Sequence, residues 1–177
     1  MKKIVLLSFI FAVTMMFNSS DVNAQSFEKG DINVGGGIGL GSRLGGGLPI
    51  NAHGEYGVTD NISVGAYVAF ASYNSGFFGS SFKWTYTIIG VRGAYHFGEL
   101  LGAPDNLDVY GGLGLYNYSV RIKSDVAGVN YSGGIGNDGI NFGVHAGARY
   151  YFSDNIGAFA ELGSAVSVLQ LGVTIKL

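Results

Sequence analysis

Histidines and one nearby carboxylate are the side chains of this sequence that most invite a chemical role. His53 and Glu55 are two residues apart, so in a β-strand both would lie on one face, and His145 could approach them. A histidine–carboxylate pair can serve as a general base, but a hydrolase also needs a nucleophile within hydrogen-bond reach. No serine accompanies the pair in a recognisable pattern. We therefore expect no enzymatic activity and interpret the histidines as hydrogen-bonded interior side chains.

Metal and cofactor motifs are equally absent from the sequence. His53, His96 and His145 lack the spacing of a known metal site, and the chain has no cysteine, which excludes thiol nucleophiles and cysteine-ligated zinc. The glycine-rich stretch 35–41 lacks the lysine and the following helix of a phosphate-binding loop. We expect neither a metal nor a cofactor. The net charge of -2, with 12% charged residues, also argues against nucleic-acid binding.

The elements that would position these residues are β-strands. After residue 31 the chain alternates, and in each segment one parity is almost purely apolar, which is the period of a strand with one apolar face. Eight such segments can be distinguished. They cover residues 32–41, 50–58, 62–73, 84–97, 107–118, 140–152, 156–162 and 169–177.

Alternation alone does not show whether the apolar face contacts lipid or a protein core, because a soluble antiparallel sheet also alternates. The positions of the charged residues distinguish the two. Every ionic residue well inside a strand lies on the parity opposite the apolar face. A Lys or Arg facing lipid near the bilayer midplane costs roughly 2–4 kcal/mol, so a lipid environment would enforce this segregation. We predict an all-β, eight-stranded, antiparallel, up-and-down transmembrane β-barrel with an interior charge network. Its members are Glu55, Arg92, Asp108, Arg149, Glu161 and Lys176.

Aromatic residues on the apolar parity cluster just before one set of turns. These turns, at 59–61, 104–106 and 153–155, each contain an Asp-Asn pair, which suits tight turns. The other end carries loops at 43–47, 74–83 and 121–138 and a short link near residue 164, so the short turns are predicted to be periplasmic. The predicted interfacial aromatic girdle consists of Tyr56, Tyr95, Phe97, Tyr150 and Phe152.

The first residues have the three regions of a secretory signal peptide. Lys2 and Lys3 precede an apolar run over residues 4–17, and Val22-Asn23-Ala24 supplies small residues before a cleavage point. At about 14 residues the run is short for a transmembrane helix, which needs roughly 20. We expect residues 1–24 to be removed and residues 25–177 to form the barrel domain.

The interior parity must fill a narrow barrel, since about eight strands leave room for side chains or one small ligand. Interior glycines of the stretches 35–41 and 112–114 leave space for interior tyrosines. Inward charges of both signs should pair with one another. We therefore expect a plugged interior. A conductive path is the alternative.

These residues together resemble the small, porin-like outer-membrane β-barrel family that includes OmpX, OmpW and the barrel domain of OmpA. The resemblance rests on the exported start, on the strand over residues 107–115 and on the alternating C-terminal strand. It implies a Gram-negative outer-membrane location and assembly by the barrel assembly machinery. One departure is Leu177, where many members end in an aromatic residue.

The function expected from this resemblance is a noncatalytic structural or surface-interaction role in the outer membrane, with lipid and lipopolysaccharide as partners. A narrow channel or carrier for small or hydrophobic solutes is the alternative that OmpW-type barrels allow. The polar residues of the long loop suggest binding of a divalent ion or lipopolysaccharide, although a solvated loop is the favoured interpretation. These residues are Asp125, Asn130, Asn137 and Asp138.

Overall fold

A computed structural model describes residues 27–77, 80–126, 129–134 and 139–177. The predicted signal peptide, residues 1–24, and the predicted first mature residue, Gln25, lie outside the described residues. The described part contains one helix, α1 (Gly98–Leu101), and nine strands. No helix in that part is long and apolar enough to cross a membrane. The strands are β1 Ile32–Ser42, β2 Ile50–Gly57, β3 Ile62–Phe77, β4 Ser80–His96, β5 Leu107–Val126, β6 Val129–Gly134, β7 Ile140–Tyr151, β8 Ile156–Gly163 and β9 Ser167–Lys176.

Eight of these strands close a barrel, as predicted. Each pairs antiparallel with the next in the chain, and β1 pairs with β9 over nine positions, which closes the sheet. The ninth strand is β6, which pairs with residues Arg121 to Val126 at the end of β5 and extends the sheet beyond the barrel. Residues Leu107 to Asn117 of β5 pair instead with β7. The predicted all-β, antiparallel, up-and-down architecture is confirmed.

Two predicted loops are largely strand. The prediction of a loop at 74–83 is wrong, because β3 and β4 stay paired as far as Phe77 and Ser80. Within the loop expected at 121–138, β5 continues to Val126 and β6 follows, while residues 127–128 and 135–138 lie outside the description. Alternation is weak in these extensions, yet the backbone hydrogen bonds of an antiparallel ladder do not require apolar side chains. Periodicity therefore underestimates strand length above the apolar band.

The two faces of the barrel have inverted polarity relative to a soluble protein. Ile89 and Val91 point outward and are 63% and 60% exposed, whereas Asp108 and Arg149 point inward and are fully buried. Apolar side chains on the exterior require hydrocarbon rather than water around them. The fold is thus built for a bilayer.

The three turns at 59–61, 104–106 and 153–155 lie at one end of the barrel together with both ends of the described chain. The second is not a short connection as predicted, because residues 97–106 join β4 to β5 and include α1. Val58 N donates to Ile62 O at 2.8 Å, and Phe152 N donates to Ile156 O at 3.1 Å, so two of the turns close in the same way. Leu177 N donates to Ile32 O at 2.9 Å, which ties the last residue to the first strand. We call this the turn end and the opposite one the loop end.

Candidate functional site

Five buried ionic side chains meet in the lumen towards the turn end. Arg92 Nε lies 2.9 Å from Glu55 Oε1, and Arg92 Nη2 lies 2.5 Å from Glu161 Oε2. Arg149 pairs with Glu55, and its Nη1 lies 3.1 Å from Asp108 Oδ2. The five residues come from five different strands, and each side chain is at most 2% exposed. We call this group the five-charge network.

The carboxylates of the network outnumber the guanidinium groups by three to two. Two neutral side chains add hydrogen bonds to Glu161, which also pairs with Arg92. Tyr110 Oη donates to Glu161 Oε2 at 3.0 Å, and Gln170 Nε2 donates to Glu161 Oε1 at 3.0 Å. Arg149 also lies over the Tyr110 ring, 4.2 Å from its centroid. Burying charges is costly unless they are both paired and hydrogen-bonded. Every charge of the network is paired, and Glu161 is also hydrogen-bonded by neutral donors. Glu55 Oε1, Arg92 Nε and Arg149 Nε have no hydrogen-bond partner within the described part of the chain.

Lys176, the sixth residue of the predicted charge network, is not brought to the other five. Its Nζ lies 3.4 Å from Asp31 Oδ2 and 5.4 Å from the centroid of the Tyr151 ring. Lys176 is the last residue of β9 and therefore reaches the rim of the turn end. Its inward parity fits the sequence pattern, but its height in the barrel separates it from the network.

A second polar chain, which sequence reasoning missed, adjoins the network. Ser63 Oγ lies 3.0 Å from His96 Nε2, and His96 Nδ1 lies 2.8 Å from Asp108 Oδ1. The rings of Phe27 and His96 stack with centroids 3.5 Å apart. The available signal was that Ser63, His96 and Asp108 occupy inward positions near the turn ends of three consecutive strands.

The order of Ser63, His96 and Asp108 is that of a serine-hydrolase triad, but the surroundings do not suit acyl transfer. Ser63 is fully buried, and Phe27 covers the imidazole of His96. We interpret the chain as a structural hydrogen-bond relay between β3, β4 and β5.

His53 and His145 are buried in the lumen, as expected, but not as hydrogen-bonded side chains. His53 Nε2 and both ring nitrogens of His145 have no hydrogen-bond partner within the described part of the chain. Their rings occupy space beside Gly35 and Gly112, where any side chain would collide with them. Among the described residues there is also no group of three or more His, Cys, Asp or Glu side chains able to hold a metal.

The loop end of the lumen is filled differently, by an apolar cluster. The rings of Tyr67 and Tyr116 meet edge to face with centroids 5.6 Å apart, and Tyr67 Oη donates to Gln170 Oε1 at 2.8 Å, which links this cluster to the network below. We call it the upper apolar cluster. Its buried members are Leu44, Tyr67, Ala69, Ala71, Ile88, Tyr116, Ala165 and Val166.

The five aromatic residues of the predicted girdle occupy outward positions near the turn end. Tyr95 and Phe97 contact each other with ring centroids 4.9 Å apart. Tyr56, Tyr95 and Phe152 are 40–49% exposed, and Phe97 and Tyr150 are half-buried. These positions are compatible with a place at the membrane–water interface, and that role stays a prediction.

Solved structures with the same architecture exist, although no protein-family model and no curated protein matches the chain. The N-terminal β-barrel domain of Pseudomonas aeruginosa OprF is 16% identical, with a TM-score of 0.55 over 84% of this chain and 98% of that one. Neisserial surface protein A is 17% identical, with a TM-score of 0.52 over 83% and 96%. Yersinia pestis Ail, in complex with the heparin analogue sucrose octasulfate, is 14% identical, with a TM-score of 0.50 over 84% and 95%.

The fold is that of the small outer-membrane β-barrels. The resemblance expected from the sequence is confirmed at the level of architecture. At these identities the likeness concerns the barrel alone, so the role of the protein has to be argued from its own residues.

Proposed function

We propose that this protein is a noncatalytic outer-membrane β-barrel with a plugged interior, serving envelope structure or surface interaction. In this proposal the signal peptide directs export, the barrel assembly machinery inserts the chain, and the loop end faces the cell exterior. The apolar exterior and the shared fold support a place in the outer membrane. The burial of Ser63 and the Phe27–His96 stack support a noncatalytic role.

The five-charge network is the observation that carries the plugged interior. Its ion pairs connect β2 with β4 and β7, and β4 with β8, across the lumen. The fourth pair, Arg149 with Asp108, joins the neighbouring strands β7 and β5. Opening a path would require separating charges that are almost fully buried, and removing one partner from such a group costs about 3–5 kcal/mol. The upper apolar cluster adds a second barrier above it.

Planar-bilayer conductance tests the proposal. The full chain, produced with its own leader and purified from membranes, should first shift on a detergent gel between unboiled and boiled samples, which establishes a folded barrel. The wild type should then give no reproducible single-channel steps. The variant Arg92→Ala/Glu161→Ala/Tyr67→Ala/Tyr116→Ala, which removes an oppositely charged pair from the network and two rings from the upper apolar cluster, should give steps. Steps from the wild type would instead favour the narrow channel or carrier.

Lipid A composition tests the noncatalytic part of the proposal. Cells with and without the protein should have the same lipid A profile by mass spectrometry. A modification that depends on the protein and disappears in Ser63→Ala would assign catalysis to the Ser63–His96–Asp108 chain and overturn the proposal.

A further inference from the structure

Three exposed basic side chains stand together on the outward face of β4 and β5 above the apolar band. Lys83 lies directly opposite Lys123 in the antiparallel register, and Arg121 lies opposite Thr85, one outward position lower. All three are exposed. They continue the outward parity of Val91 on β4 and Leu115 on β5, which are also opposite each other. We call Lys83, Arg121 and Lys123 the basic patch.

The basic patch has no acidic partner among the side chains that the structure describes. The ion pairs found there involve Arg92, His96, Arg149 and Lys176, and none of them includes a patch residue. Asp125 follows Lys123 by two positions and contributes one negative charge. Together with the three basic residues of the patch, it gives a formal charge of +2. Like charges directly opposite in a sheet are destabilising. Such a pair is stabilised when an external anion lies between the two ammonium groups.

An apolar groove of about 540 Å³ lies lower on the same outward face. Gly93 forms part of it, and the absence of a side chain there leaves a depression between neighbouring strands. A Cβ atom at Gly93 would lie 3.6 Å from the nearest atom, Ser63 O, so the position has room to be filled. The groove is lined by Val64, Val91, Gly93, Leu113, Leu115 and Phe142, among others.

The spacing between groove and patch matches one leaflet. Thr85, the position opposite Arg121, is six residues from Val91 on β4. At about 3.3 Å per residue this is roughly 20 Å along the strand, or about 15 Å along the membrane normal for a strand tilted by about 40°. Half of a hydrocarbon core about 30 Å thick is also about 15 Å. A chain in the groove would therefore end with its headgroup at the basic patch.

We propose that this face binds a phosphate-bearing saccharolipid of the lipid A type, with an acyl chain in the groove and a phosphate on the basic patch. The inference rests on the proposed function, since it requires the loop end to face the outer leaflet. It deepens that function by giving the lipopolysaccharide partner a defined site. A phosphate that carries more than one negative charge suits three cations better than the single charge of a glycerophospholipid.

Native mass spectrometry of lipid retention tests this site. The full-length gene product, purified from membranes, is placed in phosphatidylcholine nanodiscs that contain a few per cent of bisphosphorylated lipid A or of phosphatidylglycerol. The wild type should retain lipid A in preference to phosphatidylglycerol. Lys83→Gln/Lys123→Gln should weaken retention, because each basic residue near a membrane surface contributes about a fivefold gain in affinity for anionic lipid. The double variant should therefore lose roughly 25-fold.

Two matched controls separate the site from general effects. Lys29→Gln removes an exposed positive charge at the turn end and should leave retention unchanged. Gly93→Leu should fill the groove and lower retention, whereas Gly36→Leu, an outward glycine of β1 with similar room around it, should not. Unchanged retention in both the charge variant and Gly93→Leu would overturn the site, and so would equal retention of phosphatidylglycerol by the wild type. A wild-type sample that fails the gel-shift test would count against the barrel itself.

Discussion

The lumen of this barrel is filled by two unlike materials. Towards the turn end, Glu55, Arg92, Asp108, Arg149 and Glu161 form a buried network of charges. Towards the loop end, the upper apolar cluster around Ile88 packs like the core of a soluble protein. Both halves are enclosed by the same barrel, whose outer face is apolar at both heights, so the difference lies in the interior side chains alone.

The two fillings differ in how strictly they specify contacts. An ion pair needs its own partner, because a buried charge that loses its counter-ion leaves a large desolvation cost. An apolar cluster tolerates changes that conserve volume. The charged half can therefore hold particular strands together, such as β7 and β2, which are distant in the sequence. The apolar half contributes mainly through filled volume.

The largest effect is expected from Arg149→Met, because it leaves Glu55 and Asp108 without their shared cation. Unfolding free energy should fall by about 3–5 kcal/mol. Urea unfolding in lipid vesicles, followed by the fluorescence of Trp84, the single tryptophan of the sequence, measures the change. Val144→Met, on the outward face of the same strand, should leave stability nearly unchanged. A loss below about 1 kcal/mol for Arg149→Met would show that water reaches the two carboxylates.

Ile88→Ala addresses the apolar half. Ile88 is 1% exposed within the upper apolar cluster, so truncation should leave a cavity and cost about 2–4 kcal/mol by the same measurement. Ile88→Val conserves most of the volume and should cost at most about 1.5 kcal/mol. The comparison between the halves would fail if Ile88→Val were as damaging as Ile88→Ala.

Phe27→Ala tests the cover of the charged half. Loss of the stack on His96 should cost about 1 kcal/mol. The effect should be local: hydrogen exchange at the Gly57 amide, which donates to Asp31 O at 2.9 Å, should accelerate, while exchange in the upper part of β3 stays constant. Uniform acceleration over the whole barrel would assign Phe27 to global stability instead.

The smallest effect is expected at the rim. The Lys176–Asp31 pair has side chains 13% and 20% exposed, so it should resemble a surface ion pair. Lys176→Gln should reduce unfolding free energy by no more than about 0.5 kcal/mol, and added salt should reduce the difference further. A loss as large as that of Arg149→Met would place Lys176 functionally with the five-charge network.

Much of the fold was predictable because alternation is local. The inward position of Arg92, for example, follows from the parity of Val91 and its outward neighbours, and eight strands follow from eight alternating segments. The paired extensions of β3, β4 and β5 were not predictable in this way, since neither of their faces carries the lipid pattern. His53 and His145 were correctly predicted to lie inside the barrel, but the hydrogen bonds expected of them are not formed by His53 Nε2 or by either ring nitrogen of His145 within the described part of the chain.

By itself, the sequence determined which side chains enter the lumen and which contact lipid, because successive residues of a strand point to opposite faces. Only the tertiary structure decided which lumen residues meet. Arg149 contacts Glu55 across 94 positions of the chain, and Lys176, of the same parity class, is left at the rim. The physical reason is that two lumen residues can meet across the barrel only if they lie at the same height along its axis. That height depends on the stagger between each pair of neighbouring strands, summed around the closed sheet from β1 to β9.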